Sequence, residues 1–292
     1  MKRILIPVDF SESSFNSCRY AIEIATKEEP VALWLFHVFI DQTFYNPSTD
    51  PDGMMSAPII SIEFSEELKK IADTNMAQLK KQVEDYLTEK RYKNFTINKF
   101  MISGDPEWLV EDVCEEINSD GIVMSTSGSG NKGPLEGSMA LKIMGRTPVP
   151  VIAVPNNYTT FKFKNVLYST KLNDIQNDIT SIKKMLELFK HHDFTFYVVH
   201  FRRSDNDNAS MHKLEAAFGK ERLDEKIRFM MVNDDNDTGT TLNTVITRND
   251  IDLIAFIAHK TNAFKLFFSR GIHKDDFLAA DIPVLGLPHT NK

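Results

Sequence analysis

Lys2-Arg3-Ile4-Leu5-Ile6-Pro7-Val8-Asp9 opens the chain, and Lys164-Asn165-Val166-Leu167-Tyr168-Ser169-Thr170-Lys171 repeats its charge-then-apolar rhythm in the second half. Each is a short, β-rich apolar run followed by polar residues suited to capping, which predicts a buried strand feeding a helix. A repeat at this scale governs the whole fold, so it is the first thing to follow outward.

Behind the first run, Phe15, Cys18, Ile22 and Ala25 recur at helical spacing; behind the second, Ile175, Ile179, Ile182, Leu186 and Phe189 do the same. Both patterns predict amphipathic helices laying one apolar stripe on a sheet. The next apolar runs end alike, Leu35-Phe36-His37-Val38-Phe39 and Tyr197-Val198-Val199-His200-Phe201. Each half also closes alike, with Pro150-Val151-Ile152-Ala153-Val154-Pro155 answered by Pro283-Val284-Leu285-Gly286-Leu287-Pro288. Alternating strand and helix signals predict, in each half, a parallel sheet covered by helices on both faces. A polar stretch at Asn156-Asn157-Tyr158-Thr159 marks the boundary, giving expected domains of residues 1–157 and 158–292.

The bulk properties agree. A chain of 292 residues fits two domains of about 150 residues each. A net charge of −7 argues against non-specific nucleic-acid binding, which needs a concentrated positive field. No run approaches the roughly 20 apolar residues of a membrane helix, and the first apolar run is too short for a signal peptide, so the expected location is cytoplasmic with no membrane partner. The two cysteines, Cys18 and Cys114, fall at apolar helical positions and read as small buried hydrophobes.

The halves differ in the middle. The first carries a long segment, 41–60, with Pro47, Pro51 and Gly53, open to reading as a lid or as disorder. A long helix follows, with Leu68, Ile71, Met76, Leu79 and Val83 expected on one face. The second half has a polar loop over 202–210 and a short helix around Met211, Leu214 and Phe218.

Ligands of open parallel sheets bind beyond the carboxyl ends of the strands, where strand order reverses. In the first half this selects Pro7 and Asp9, Val38, Gly104-Asp105-Pro106, and the stretch from Met124 to Ser138. There Gly121-Ile122-Val123-Met124 reads as a strand and Ser125-Thr126-Ser127-Gly128-Ser129-Gly130 as a small-residue loop, before Gly137-Ser138 opens a short helix. Glycines let backbone approach a phosphate, and free N–H groups there can hold its charge. Ser138 is suited either to donate to a phosphate or to cap its helix. The spacing is not that of a P-loop.

Taken in order, Ile6-Pro7-Val8-Asp9-Phe10-Ser11, Leu35-Phe36-His37-Val38, Gly104-Asp105-Pro106, the Met124-to-Ser138 loop and the Pro-Val-Ile-Ala-Val ending resemble the universal stress protein (UspA) family. The resemblance covers residues 1 to about 155 well and 163–288 more weakly. It implies an α/β fold of two tandem, doubly wound five-stranded parallel sheets of order 3-2-1-4-5, Rossmann-like and similar to the adenine-nucleotide alpha hydrolases. It also implies ATP or ADP, with Mg accompanying the nucleotide. On that match Asp9 faces the ribose, Val38 and Met124 the adenine, and Gly128, Gly137 and Ser138 the phosphates; Pro7, Ser125, Ser127, Ser129 and Gly130 complete the candidate set. The sequence departs from the family's Gly-x2-Gly-x9-Gly-Ser motif: Ser125 stands for the first glycine, and eight residues separate Gly128 from Gly137.

The second half reads as degenerate. Lys171 stands where the first half has Asp9, and His259-Lys260-Thr261-Asn262 follows the fourth strand without a glycine. The basic residues of 259–274 read as a solvated face or an anion site. His191-His192-Asp193 offers metal-ligand types, but neighbours at a helix end seldom converge on one ion. His37 and His200 end matching strands and read as structural. No general base stands out, so the expected protein is a nucleotide-sensing stress-response module, at most a weak ATPase; the alternatives are a ligand-free scaffold or a true ATP-using enzyme. Finally, the apolar strands after Pro150 and Pro283 invite edge-to-edge pairing, which predicts an intramolecular pseudo-dimer of the halves, with association of two chains left open.

Overall fold

A computed structural model describes residues 1–39, 59–126, 139–202, 207–219, 226–233, 238–258 and 282–288. The 41–60 segment (but for its last two residues), the loop positions Ser127, Gly128, Ser129, Gly130, Gly137 and Ser138, and the basic 259–274 stretch lie outside the described residues.

In the first half, β1 (Arg3–Pro7), α1 (Glu12–Ile24), β2 (Val31–Phe39), α2 (Ile59–Glu89), β3 (Phe95–Ser103), α3 (Pro106–Glu116), β4 (Gly121–Ser125), α4 (Met139–Met144) and β5 (Val151–Val154) follow one another. The second half runs β6 (Asn165–Ser169), α5 (Ile175–Leu188), β7 (Thr195–Arg202), α6 (Asp207–Gly219), β8 (Ile227–Asn233), α7 (Thr238–Arg248), β9 (Leu253–Ala258) and β10 (Val284–Pro288). The strands form a single 10-stranded sheet, ordered β3-β2-β1-β4-β5-β10-β9-β6-β7-β8. Each half is parallel and has the 3-2-1-4-5 order. The halves meet in one antiparallel seam, with Ala153 opposite Val284, Ile152 opposite Leu285 and Val151 opposite Gly286. The two five-stranded sheets expected from the sequence are joined edge to edge through their final strands, the pairing expected after Pro150 and Pro283.

The prolines are accommodated without being at an edge. Pro150 and Pro283 lie just before their strands, and their carbonyls accept from Ile122 N (2.9 Å) and Ile254 N (3.1 Å). Each serves as an acceptor where no donor is required.

Period-2 alternation divides each strand between two cores. Ile4 and Ile6 face one side with α1, α2, α5 and α6 residues such as Cys18, Met76, Met185 and Leu214. Leu5 faces the other with α3, α4 and α7 residues such as Val113, Ile143 and Leu242. Both cores run across the seam, so each half helps bury the other. Gly286 shows how tightly: a Cβ there would lie 2.9 Å from Met144 Cγ, so α4 rests directly on the backbone of the other half's strand.

Several positions differ from the sequence expectation. The buried stripe of α2 is Ala72, Met76, Leu79, Val83 and Leu87, while Ile71 is 50% exposed. The helix is rotated so that the small Ala72, in place of Ile71, is turned inward. Helix α6 begins at Asp207, within the stretch read as a loop. The polar boundary segment is docked: Asn16 Nδ2 donates to the carbonyls of Pro155 (3.2 Å) and Tyr158 (2.9 Å), and Tyr158 is buried against Tyr20. His192, just beyond α5, is held by hydrogen bonding and packing. Its Nε2 donates to Ile24 O at the end of α1 (2.8 Å), its ring lies 4.9 Å from Phe163, and burial pushes its pKa down. Among the described residues no group of three or more side chains is arranged to hold a metal.

Both cysteines are buried and unpaired, and burial pushes each thiol up to about 12. The thiolate is the reactive form, so at pH 8 the folded protein is expected to resist Ellman's reagent on a timescale of minutes and to release two equivalents in denaturant. Fast native labelling would show that α1 or α3 opens readily.

Candidate functional site

The chain turns sharply after β1. Phe10 takes the left-handed φ of 63°, and its counterpart behind β6, Leu172, takes 57°. Few non-glycine residues accept this region, so the repeated strain marks a turn fixed by its surroundings. The turn lets Asp9 reach the start of α1, where its Oδ1 accepts from Ser11 N (3.1 Å), Ser11 Oγ and Ser14 Oγ (2.8 Å). Asp9 N in turn donates to Ser14 Oγ (3.1 Å). The carboxylate is thus held in one orientation at the carboxyl end of the sheet.

Around it opens a cleft of about 250 Å³. Pro7, Val8 and Asp9 line it from β1, Phe36, His37 and Val38 from β2, and Met124, Ser125 and Thr126 from the end of β4; Ser14, Pro106, Met139 and Ala140 complete it. It lies between β1 and β4, where the strand order turns from 1-2-3 to 4-5, the switch point at which doubly wound sheets bind ligands. Val38, Met124, Phe36 and Ala140 are its apolar lining residues, and Asp9, Ser14, His37 and Ser125 are polar ones. Ser125 Oγ donates to Asn156 Oδ1 (2.7 Å), and Thr126 N to Val154 O (3.0 Å), so the end of β4 is anchored to β5 and the residue beyond it.

Five sequence candidates, Pro7, Asp9, Val38, Met124 and Ser125, therefore come together. Sequence reasoning did not place Ser14, Met139 or Ala140 in the site, and Thr126 entered only as part of the small-residue loop. Ser14 carries no local signal, because a serine in the first turn of a helix is common; its role follows from the turn at Phe10. His37 and Pro106 were visible only as parts of motifs.

An apolar slot with a fixed carboxylate and hydroxyls at its rim suits a flat heterocycle bearing a hydroxylated sugar. The residues present fit that part of an adenine nucleotide: the walls can take a base, and Asp9 can accept from ribose hydroxyls. The volume lies just below the roughly 300–1,000 Å³ of a pocket enclosing a whole drug-sized ligand. Among the described residues of the cleft the Ser14 hydroxyl and the His37 imidazole are engaged elsewhere. Ser14 is bonded to Asp9, and His37 Nδ1 lies 2.8 Å from Val8 O, a backbone acceptor.

Behind β6 the corresponding space is organised differently. Lys171 follows the strand, and Asp178, in the first turn of α5, is buried and accepts from Tyr168 OH and Thr170 Oγ1, both at 2.6 Å. His200, matching His37, reaches Thr170 O with Nδ1 (3.0 Å) and Asp207 Oδ2 with Nε2 (3.0 Å). Buried polar contacts take the place of an open rim.

A family model described as the universal stress protein family matches residues 1–155. The chain belongs to that family. A universal stress protein of Methanocaldococcus jannaschii is 27% identical over 154 residues, 52% of this chain and 81% of the relative. A universal stress protein of Archaeoglobus fulgidus has a crystal structure similar over 99% of this chain and 97% of its own, with a TM-score of 0.70 at 14% identity. A Pseudomonas aeruginosa protein of unknown function covers 99% of this chain and 93% of its own, with a TM-score of 0.55 at 11% identity. At those identities the structural likenesses speak for the fold of the whole chain, while the family match rests on the first half.

Proposed function

We propose that the first half binds ATP or ADP and acts as a nucleotide-sensing module in a stress response, without strong catalysis. The observation that carries the reading is the meeting of Pro7, Asp9, Val38, Met124 and Ser125 around one cleft at the switch point. In this reading the base lies between Val38 and Met124, the ribose hydroxyls donate to Asp9, and the phosphates extend toward Ser127, Gly128, Ser129, Gly130, Gly137 and Ser138, bringing Mg with them. Residues 158–292 form a degenerate partner domain, and residues 1–157 carry the site. Among the described residues no helix is long and apolar enough to cross a membrane.

Met124 is 6% exposed, and replacing it with tryptophan puts a bulkier side chain into the base slot. Calorimetric titration with MgATP is expected to show one site per chain, weakened at least tenfold in Met124→Trp, whose melting temperature falls by several degrees but stays well above that of the titration. Absence of binding to the wild type would sink the reading and favour a scaffold instead. That second reading has an observation behind it: Ser125, at the family's first motif glycine, has its hydroxyl bonded to Asn156.

A further inference from the structure

We propose that β8 is an association surface, at which a second copy of the chain adds its own β8 in antiparallel register and closes a dimer through the outer edge of the second half. β8 is one of the two outermost strands of the 10-stranded sheet, with β7 on one side and no described strand on the other. Phe196 N donates to Lys226 O (2.7 Å), and Phe196 lies opposite Ile227. In a parallel ladder the N–H and C=O of one residue point the same way, and those of the next residue the opposite way. Lys226, Arg228, Met230 and Val232 therefore turn their backbone groups to β7, whereas Ile227, Phe229, Met231 and Asn233 turn theirs outward. No described residue meets those outward groups.

The two edges of the sheet are defended unequally. An open strand edge is a template for pairing with another chain, and natural sheets block it with charge, lysine above all. β3 carries Lys99 at the middle of its nine residues, 3.6 Å from Asp73 of α2. β8 carries no charge beyond Arg228, whose guanidinium lies back over the Tyr197 ring of β7 at 5.6 Å. The run that follows, Phe229-Met230-Met231-Val232, is wholly apolar and only half-buried. Such a strand fits itself. Centred on Met230, an antiparallel twofold pairs all seven residues of β8: Ile227 with Asn233, Arg228 with Val232, Phe229 with Met231, and Met230 with its own copy. The outward-turned residues then meet one another as hydrogen-bonded pairs. Apolar side chains meet on both faces, and no like charges stand opposite each other. A copy offering its β3 edge instead would set Lys99 against the apolar run, in a head-to-tail contact that does not close.

Sedimentation velocity over a concentration series, on the full chain, tests this. The wild type is expected to pass from one copy to two with a dissociation constant on the order of 10 μM. Met230→Lys and Met230→Glu each set like charges face to face at the twofold, and each should weaken association by about tenfold or more. An equimolar mixture of the two should recover the dimer, because lysine then faces glutamate. Met231→Pro removes a donor that faces away from β7, a place where an edge strand tolerates proline, and should leave a monomer that still melts cooperatively. A wild type that stays monomeric at about 100 μM would overturn the assignment. So would a dimer that survives in both Met230 variants or in Met231→Pro, or a mixture no more associated than its parts. A species that keeps growing beyond two copies would overturn it too, because β8 meeting β3 builds an open chain of copies.

Discussion

Replacing Val151 and Ile152 together with lysine is expected to part the ten-stranded sheet at its centre and leave the chain expanded and open to protease. Both side chains are wholly buried, and each faces a different core. An ammonium without a partner in such a place costs several kcal/mol, and two of them rival the roughly 5–15 kcal/mol that holds a typical domain together. The damage extends across the seam because Val151 and Ile152 sit opposite Gly286 and Leu285. Small-angle scattering should show a larger radius of gyration, and limited proteolysis a new cut near 156–164. Val151→Ala/Ile152→Ala, which shortens the side chains without adding charge, should lower stability but keep the particle compact. A compact, protease-resistant double-lysine variant would show that the β5–β10 seam is not what joins the halves.

The second large effect is expected at Asp178. Burial raises its pKa above the ordinary 3.8, against the opposing pull of hydrogen bonds from Thr170 and Tyr168. Between the unfolded and the higher native pKa, the native state holds more protons than the unfolded one. Stability therefore falls as pH rises through that window, and that loss is complete once the pH is above the native pKa. Asp178→Asn removes the charge and keeps one oxygen acceptor, while the other hydroxyl can turn to accept from the new amide. It is expected to match or exceed the wild type in stability at pH 7 and to flatten the pH dependence above pH 4. Asp178→Ala leaves two buried hydroxyls without their acceptor and should cost about 2–4 kcal/mol. Urea unfolding at several pH values separates these outcomes; an asparagine variant as damaged as the alanine one at pH 7 would show that the charge itself stabilises the half.

The local rules that formed the strands were open to reading along the chain. Period-2 runs such as Ile4-Leu5-Ile6 and Val166-Leu167-Tyr168 declare their strands because each must bury both faces. The substitution of Lys171 for Asp9 could be seen by aligning the two openings, and the family pattern drew Pro7, Val38, Met124 and Ser125 toward one region. Helix phase was less legible: Ile71 looked apolar enough to face the core, but α2 turns Ala72 inward.

What only the tertiary structure decided depends on groups far apart in sequence. The pairing of the two apolar edges was open to reading, but their antiparallel register, and the Cβ-free surface of Gly286 that receives Met144, were not. Ser14 joins the candidate site because a strained turn brings it to Asp9, and Ser125 is tied down by Asn156 across 31 positions of chain. His37 and His200 end nearly identical runs, yet one ring nitrogen lacks a described partner and the other meets Asp207. A side chain's identity is written locally, but the partner that satisfies its second hydrogen bond is chosen by packing, which no local pattern records.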